Sequence, residues 1–168
     1  MEQNRTAPTG GSGRSTGPPS SHSPLPRREI KPPRHILVVD DDDAIRHINT
    51  EVLIHYGYHV DAAEDGAVAW QRMQRNSYDL LITDNQMPNV SGMELLLKLR
   101  DFCIPMPVIM ATGTLPVESI SRPGLQPAAL LMKPYTPGEL LQAVEKALGA
   151  TAVGREQLEF RLSAPRSL

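Results

Sequence analysis

Five short apolar segments alternate with four amphipathic segments along this chain, and this alternation limits its fold more than any other feature. The apolar runs have the length and composition of buried strands, and the other segments have the apolar spacing of helices. Strict alternation of strands and helices indicates a parallel sheet with helices on both faces, so we predict an α/β, doubly wound sheet of five parallel strands. The predicted strands are 36–39, 58–63, 80–83, 107–111 and 128–132, and the predicted helices are 43–56, 65–75, 92–101 and 137–148.

Individual residues support the predicted helices. Asp42 and Asp43 are expected to provide the N-cap and first-turn acidity of the first helix, and Ser91 is expected to cap the third. Gly92 is expected to permit close packing at that position. The first helix is predicted to be amphipathic because four apolar residues recur at helical spacing. They are Ile45, Ile48, Val52 and Tyr56.

The two ends of the chain differ in composition from its middle. Residues 1–34 are rich in proline, glycine and serine and carry several basic residues, so we expect a disordered basic tail. The folded domain is expected over residues 35–149, followed by a short C-terminal tail over 150–168. Because that tail is too short for a helix-turn-helix module, we expect a stand-alone domain without a DNA-binding output domain.

Charge and composition argue against several classes of function. A formal net charge of -2 over 168 residues argues against nucleic acid as a partner. The sequence has no apolar run long enough for a membrane span and no N-terminal signal peptide, so membrane insertion and export are not expected. Cys103 is the only cysteine, so no internal disulfide can form, which fits a cytoplasmic location.

Polar side chains follow four of the five predicted strands. Asp40 and Asp41 follow the first strand, and Asp84 follows the third. Thr112 follows the fourth strand and Lys133 follows the fifth. In open α/β sheets the functional crevice lies beyond the carboxyl ends of the strands, so we expect these side chains to share one pocket.

These residue types suit phosphoryl transfer to a carboxylate. Three carboxylates in one cleft repel each other, and a divalent cation such as Mg²⁺, which prefers oxygen ligands, relieves that repulsion. A lysine and a threonine can stabilise charge on a transferred phosphoryl group. The pattern therefore predicts one carboxylate as the acceptor and two as metal ligands.

Four segments of the chain resemble the signature segments of bacterial response-regulator receiver domains, in the same order and spacing. The most specific of them is the pattern TDxxMPxxxG with a KP dipeptide further along the chain. The resemblance covers residues 35–149, the whole of the predicted folded part. The four segments are HILVVDDDD, DLLITDNQMPNVSGMEL, PVIMATG and LLMKPY.

The resemblance implies a flavodoxin-like fold with the strand order 2-1-3-4-5. It makes Asp84 the phospho-acceptor, which takes a phosphoryl group from a sensor histidine kinase or a histidine phosphotransfer protein. It also implies that Asp40, Asp41 and Asp84 hold Mg²⁺ together with the backbone carbonyl of Gln86. Each of these assignments belongs to the family's motif and is an expectation for this chain.

The same resemblance assigns roles to two further residues. Thr112 is expected to move toward the phosphoryl group, and Lys133 is expected to contact it. The chain would then be a signalling domain and not an enzyme, with only self-phosphorylation and self-dephosphorylation. Its output would be a change in contacts with a downstream protein that the sequence does not identify.

Two features depart from the family pattern. Leu130 stands three residues before the lysine, where the family usually has an aromatic residue, so the resemblance does not extend to a switch based on an aromatic side chain. Between the fourth and fifth strands, the segment 115–127 contains Pro116, Pro123 and Pro127. Because a proline inside a helix costs about 3 kcal/mol, the fourth helix of the family is predicted to be short or irregular here.

Two other functions remain open on the sequence. The departures are also compatible with a receiver-like interaction module that works without phosphorylation. A haloacid-dehalogenase-like phosphatase would use Asp40 and Asp42 as its nucleophile and acid. However, Ala44 stands where that family prefers threonine or valine, and no acidic pair follows Lys133.

Overall fold

The computed structural model describes residues 33–114 and 124–163, with side chains up to residue 150. These residues form five strands and four helices that alternate along the chain, apart from the gap between the last two strands. The strands are β1 His35–Val39, β2 His59–Ala63, β3 Leu80–Asp84, β4 Val108–Thr112 and β5 Ala129–Met132. The helices are α1 Asp43–His55, α2 Gly66–Met73, α3 Gly92–Asp101 and α4 Pro137–Ser163.

The five strands form one parallel sheet in the order β2-β1-β3-β4-β5. Val39 at the end of β1 is paired with Thr83 of β3, and Asp84 is paired with Ala111 of β4. Thr112 is paired with Met132 at the end of β5. The carboxyl ends of these four strands therefore lie along one edge of the sheet, and the predicted fold class and strand order are confirmed.

Helices cover both faces of the sheet and create two hydrophobic cores. Alternate residues of β1 point to opposite faces, so Ile36 packs in one core and Leu37 packs in the other. Leu53 of α1 and Leu140 of α4 belong to the first core, and Leu96 of α3 belongs to the second. Because both faces are covered, β3 and β4 are buried along their whole length.

The capping residues predicted for α1 and α3 are confirmed. The Asp42 carboxylate accepts hydrogen bonds from the backbone amides of Ala44 and Ile45, at 2.8 and 3.2 Å. At the start of α3, the Ser91 hydroxyl accepts from the Glu94 amide, and the Glu94 carboxylate accepts from the Ser91 amide. This reciprocal pair is a capping box, which satisfies backbone donors that the first helical turn leaves free.

Replacing Ser91 with alanine is expected to lower the free energy of unfolding by about 1 kcal/mol, because the first turn of α3 loses its cap. Urea unfolding of the full chain measures this change. Ser77→Ala is the matched control, since Ser77 is an exposed loop residue that caps no helix. Equal stability of the two variants would contradict the capping role of Ser91.

One face of α1 differs from the sequence pattern. Ile48 and Tyr56 belong to the apolar repeat, yet they are 56% and 63% exposed. The buried residues of α1 are Asn49 and Leu53. Asn49 tolerates burial because its side-chain amide donates a 2.8 Å hydrogen bond to the Tyr135 hydroxyl. The helix was therefore predicted correctly, but half of its apolar stripe lies outside the core.

The last helix is longer than predicted. α4 continues to Ser163 and does not end at Leu148, so residues 150–163 of the predicted C-terminal tail are helical. Gly149 and Gly154 lie inside this helix, although glycine disfavours a helix interior by about 1 kcal/mol relative to alanine. Most of the other residues between 150 and 163 are good helix formers such as alanine, glutamate, glutamine, arginine and leucine, which offset the two glycines.

Two further predictions fall outside the described residues. Residues 1–32 of the predicted disordered tail are not described, and neither are residues 115–123, where the short or irregular helix was predicted. Residues 124–128, directly before β5, are not helical. Over the described ranges, no helix combines the length and the apolar character that crossing a bilayer requires.

Candidate functional site

An acidic pocket lies at the edge of the sheet where the strands end. Asp40 follows β1, and Asp84 is the last residue of β3. Together with Asp41 they form a cluster in which one carboxylate oxygen of each residue lies within 4.8 Å of the other two. Thr112 ends β4 and Lys133 follows β5 at the same edge. The structure thus brings together the three carboxylates and Lys133, as predicted, and places Thr112 at the same edge of the sheet.

Lys133 lies between two of the three carboxylates. Its Nζ donates to Asp40 Oδ2 at 2.8 Å and to Asp84 Oδ2 at 2.6 Å. Asp40 is 2% exposed and Asp84 is 7% exposed, so both ion pairs are largely shielded from water. Charges interact more strongly where water is excluded, and the positive charge of Lys133 therefore holds the two carboxylates close together.

The charges in the pocket shift the pKa values of Asp40 and Lys133. Burial raises the pKa of Asp40 above its ordinary value, and the hydrogen bond and charge of Lys133 offset only part of that shift. Burial alone would lower the pKa of Lys133, but its hydrogen bonds to Asp40 and Asp84 outweigh burial and raise that pKa. Lys133 is therefore charged at neutral pH. Ionisation of the buried Asp40 carboxyl is unfavourable, and an additional positive charge nearby would make it more favourable.

The donor atoms of this pocket fit a hard divalent cation. The three carboxylates offer closely spaced oxygen ligands, which Mg²⁺ prefers. Asp41 is exposed, so the cluster is open to solvent on one side. Within residues 33–114 and 124–150, this is the one group of three or more acidic, histidine or cysteine side chains close enough to hold a metal ion.

The loop after β3 adds a further hydrogen bond to Asp84. The backbone amide of Gln86 donates to Asp84 Oδ1 at 3.0 Å, so the two carboxylate oxygens accept from different donors. The side-chain amide of Gln86 donates to Thr114 Oγ1 at 3.3 Å, which links the loops after β3 and β4. The sequence placed Gln86 in this loop, but it did not predict these contacts.

Thr112 is fully buried, and its hydroxyl is engaged with the loop that follows it. Thr112 Oγ1 donates to the carbonyl oxygen of Thr114 at 2.8 Å and accepts from the Thr114 amide at 3.3 Å. Its single proton is thus directed to Thr114 and not to Asp84. For this hydroxyl to donate to a phosphoryl group, its hydrogen bond to the Thr114 carbonyl must first break.

Comparison with known proteins identifies the class of this chain. The family model of the response regulator receiver domain matches residues 36–145. The chain therefore belongs to the response regulator receiver family. Receiver domains are signalling domains and not classical enzymes, they bind Mg²⁺ at their acidic pocket, and they interact with histidine kinases and downstream targets.

Individual relatives agree with this class. The response regulator receiver protein CpdR of Brucella abortus is 30% identical over 116 residues, which cover 68% of this chain and 97% of CpdR. The transcriptional regulatory protein GlrR of Escherichia coli is 32% identical over 127 residues, which cover 74% of this chain but 28% of GlrR. The chain likewise spans 53% or less of the length of several other curated relatives, among them the response regulator MprA of Mycobacterium.

A solved structure with a bound metal complex is also similar. The response regulator TrrA of Thermotoga maritima, determined in complex with Mg²⁺ and beryllofluoride, is 31% identical to this chain with a TM-score of 0.61. The match covers 68% of this chain and 99% of TrrA. The similarity extends over nearly the whole of that receiver.

Proposed function

We propose that this chain is a phospho-accepting response regulator of a two-component phosphorelay, and that Asp84 is its phospho-acceptor. The observation that carries the proposal is the position of the Asp84 carboxylate. It lies at the carboxyl end of the central strand, within 4.8 Å of the Asp40 and Asp41 carboxylates and 2.6 Å from Lys133 Nζ. Phosphoryl transfer requires positive charge beside the acceptor oxygen, which Lys133 provides and which Mg²⁺ held by the three carboxylates would add.

In this proposal Asp40, Asp41 and Asp84, with the backbone carbonyl of Gln86, would hold Mg²⁺. When bound, the cation supplies positive charge that neutralises the carboxylates and the phosphoryl oxygens. Lys133 would supply the remaining positive charge, because its ammonium already contacts Asp84 Oδ2. The fit of the three carboxylate oxygens supports this assignment.

The proposed reaction is an in-line displacement at phosphorus. A carboxylate oxygen of Asp84 attacks the phosphorus atom of a phosphohistidine on a sensor histidine kinase or a histidine phosphotransfer protein. The P–N bond breaks, an acyl phosphate P–O bond forms, and the imidazole leaves with the bonding electron pair. The Lys133 ammonium would stabilise the negative charge first on the Asp84 carboxylate and then on the phosphoryl oxygens.

The output would be a change in protein–protein contacts. When the Thr112 hydroxyl turns to the phosphoryl group, it gives up its hydrogen bond to the Thr114 carbonyl and releases the loop after β4. That release would alter the surface that a downstream protein target recognises. We also propose a cytoplasmic location, which is supported by the free, exposed Cys103, since exposed thiols persist in reducing compartments.

A second candidate function is a receiver-like interaction module that does not depend on phosphorylation. It is favoured by Leu130, which is partly buried against the core on the α2 and α3 side and offers no aromatic ring to couple to Thr112. The phosphatase alternative is weakened, because both helix-capping bonds of α1 use the Asp42 carboxylate. Asp42 Oδ1 is thus occupied as the N-cap, and only Oδ2 could serve as an acid for Asp40.

Treatment with a small phosphodonor distinguishes these functions. Incubation of the full chain with acetyl phosphate and Mg²⁺ should add the mass of one phosphoryl group, and beryllofluoride should shift the NMR signals around Asp84 and Thr112. If neither reagent changes the chain, the interaction module is the better assignment. Sustained release of phosphate from a small phosphomonoester would instead support the phosphatase.

Adding Mg²⁺ is expected to stabilise the wild-type chain at neutral pH. Because the folded-state pKa of Asp40 lies above 3.8, its contribution to stability is largest below that pH and is lost as the pH rises through the folded-state pKa. A bound cation offsets this loss. Mg²⁺ at about 100 times its Kd should raise the free energy of unfolding by about 2.7 kcal/mol, measured by urea unfolding at about pH 7 with and without Mg²⁺.

Asp40→Asn tests the origin of that effect. The variant removes the buried carboxylate, so its stability should change less between about pH 4 and pH 7, and most of the response to Mg²⁺ should disappear. Asp101→Asn, at the exposed end of α3, is the matched control and should behave as the wild type does. An unchanged Mg²⁺ response in Asp40→Asn would show that the cation binds elsewhere.

A further inference from the structure

The loop between β3 and α3, residues 85–91, is closely packed where it approaches α3. At the α3 end, a Cβ atom added to Gly92 would lie 2.3 Å from the backbone oxygen of Asp84. The loop also lies close to α2, because a Cβ atom added to Gly66, the first residue of α2, would lie 2.3 Å from the backbone oxygen of Val90. The loop that carries Gln86 therefore contacts both the proposed acceptor and the first turn of α2.

Asn89 gives this loop its unusual backbone. Its φ is 64°, and among the described non-glycine residues only Asn89 and Cys103 have a positive φ. Asparagine adopts this left-handed conformation more readily than most residues, and glycine adopts it without steric cost. The conformation directs the side chain of Asn89 toward the start of α2.

The side chain of Asn89 is hydrogen-bonded to Asp65. Asn89 Nδ2 donates to Asp65 Oδ2 at 2.8 Å, and the other oxygen of the same carboxylate accepts from the Val68 amide at 2.8 Å as the N-cap of α2. Asp65 is 9% exposed, so this hydrogen bond is largely shielded from water. The bonds from Val68 and Asn89 both lower the pKa of Asp65, which keeps it ionised and able to accept from both donors at neutral pH.

We infer that Asp65 and Asn89 form a positioning pair for the acceptor site, although neither residue touches the reacting atoms. The pair fixes the loop against α2, and the loop in turn fixes the Gln86 amide, which donates to Asp84 Oδ1. It also fixes the Gln86 carbonyl that would be a Mg²⁺ ligand, so this inference rests on the proposed function. The pair thereby sets the affinity of the acid cluster for a divalent cation.

Breaking the Asp65–Asn89 pair is expected to weaken Mg²⁺ binding, because the metal ligands are then no longer preorganised. Without the Asn89 bond, the loop can leave the start of α2, and the Gln86 backbone is then no longer held in one position relative to Asp84. Groups that orient metal ligands typically change metal affinity by about 10- to 100-fold when they are removed. The effect should therefore appear in the Kd for Mg²⁺ and not only in stability.

Three variants separate positioning from folding. Asn89→Gly keeps the positive φ and removes the side-chain amide. Asp65→Ser keeps an N-cap for α2 but is too short to reach Asn89 as well. Asp65→Asn should retain the wild-type Kd for Mg²⁺, because Asn89 can rotate its amide and accept a hydrogen bond from the asparagine introduced at position 65.

The Kd for Mg²⁺ is measured by NMR titration of the full chain, and the rate of phosphorylation by acetyl phosphate is followed as a function of Mg²⁺ concentration. Asn89→Gly and Asp65→Ser should each raise the Kd by about 10-fold, and Asp65→Asn should stay within about 3-fold of the wild type. The double variant Asn89→Gly with Asp65→Ser should be no worse than either single variant, because both break the same contact.

Cys103→Gly is the matched control, since it also replaces a non-glycine residue of positive φ by glycine, at φ 54° and away from the acid cluster. It should leave the Kd for Mg²⁺ unchanged. If Asn89→Gly and Asp65→Ser bind Mg²⁺ as the wild type does, the positioning role is overturned, whether or not their melting temperatures fall.

The inference and the proposed function fail in different ways. If the wild type takes up a phosphoryl group with the same Mg²⁺ dependence as Asn89→Gly, the function stands and the positioning role is wrong. If acetyl phosphate does not modify the wild type, the acceptor function is wrong, and a weaker Kd for Mg²⁺ in Asn89→Gly would still support the pair as a positioning device for the cation.

Discussion

Replacing Asp84 with asparagine is expected to abolish uptake of a phosphoryl group from acetyl phosphate or from a phosphohistidine donor. The amide has no anionic oxygen to attack phosphorus, so the loss should be complete and not partial. The fold should survive, because the side chain is isosteric and its oxygen can still accept from Lys133 or from the Gln86 amide. Intact-mass measurement of the full chain, with and without Mg²⁺ and acetyl phosphate, records the outcome.

Two further variants define what the Asp84→Asn result means. Asp41→Asn removes a proposed metal ligand but keeps the acceptor, so it should slow phosphorylation and retain it at high Mg²⁺ concentration. Asp101→Asn changes an exposed carboxylate at the end of α3 and should have no effect. Uptake of phosphate by Asp84→Asn at the wild-type rate would exclude this residue as the acceptor.

Replacing Lys133 with methionine is expected to destabilise the metal-free chain by about 3 kcal/mol at neutral pH, because Asp40 and Asp84 remain buried without their counter-charge. This effect lies at the lower end of the range for a broken buried ion pair, because the Lys133 side chain is 20% exposed. Stability should recover at low pH, where the carboxyl groups are protonated, and with Mg²⁺, which replaces the lost positive charge. Phosphorylation should also slow, because a charge that stabilises the transferred group is gone.

Urea unfolding at about pH 4 and pH 7, with and without Mg²⁺, separates these effects. Lys146→Met is the matched control, because Lys146 is an exposed residue on α4 away from the acid cluster. A Lys133→Met variant that is as stable as Lys146→Met at neutral pH without Mg²⁺ would contradict the role of Lys133 in holding the carboxylates together.

The fold was predictable because its strands are short, apolar and separated by helical segments. Parallel pairing then follows from the alternation, and the strand ends must meet at one edge. Asp40 and Asp84 were found in this way, since each directly ends or follows a strand that is buried on both faces. Strand positions alone were enough to bring these side chains together, without knowledge of any rotamer.

Periodicity was a weaker guide to the faces and the ends of helices. Ile48 and Tyr56 fit the apolar repeat of α1 but lie at the surface, whereas Asn49 is buried because Tyr135 supplies a hydrogen-bond acceptor 86 positions away. α4 continues past the predicted end at Leu148, because good helix formers follow Gly149 and Gly154. In each case a partner or a neighbouring residue overrode a local signal.

The contacts that orient the site could not be predicted at all. The hydrogen bond from Thr112 to the Thr114 carbonyl depends on a side-chain rotamer and a loop conformation. The bond between Asp65 and Asn89 joins residues 24 positions apart that belong to no common motif. The positive φ of Asn89 directs its side chain to Asp65, but the sequence does not specify the φ of a single asparagine.

The acceptor role of Asp84 is tested most directly by locating the phosphoryl group after reaction of the wild-type chain with acetyl phosphate and Mg²⁺. Reduction with borohydride converts an aspartyl phosphate into homoserine, which survives digestion and can be assigned by tandem mass spectrometry. We expect homoserine at position 84 and at no other aspartate. Homoserine at position 40 or 41, or its absence from a chain that has taken up phosphate, would contradict the assignment of Asp84 as the acceptor.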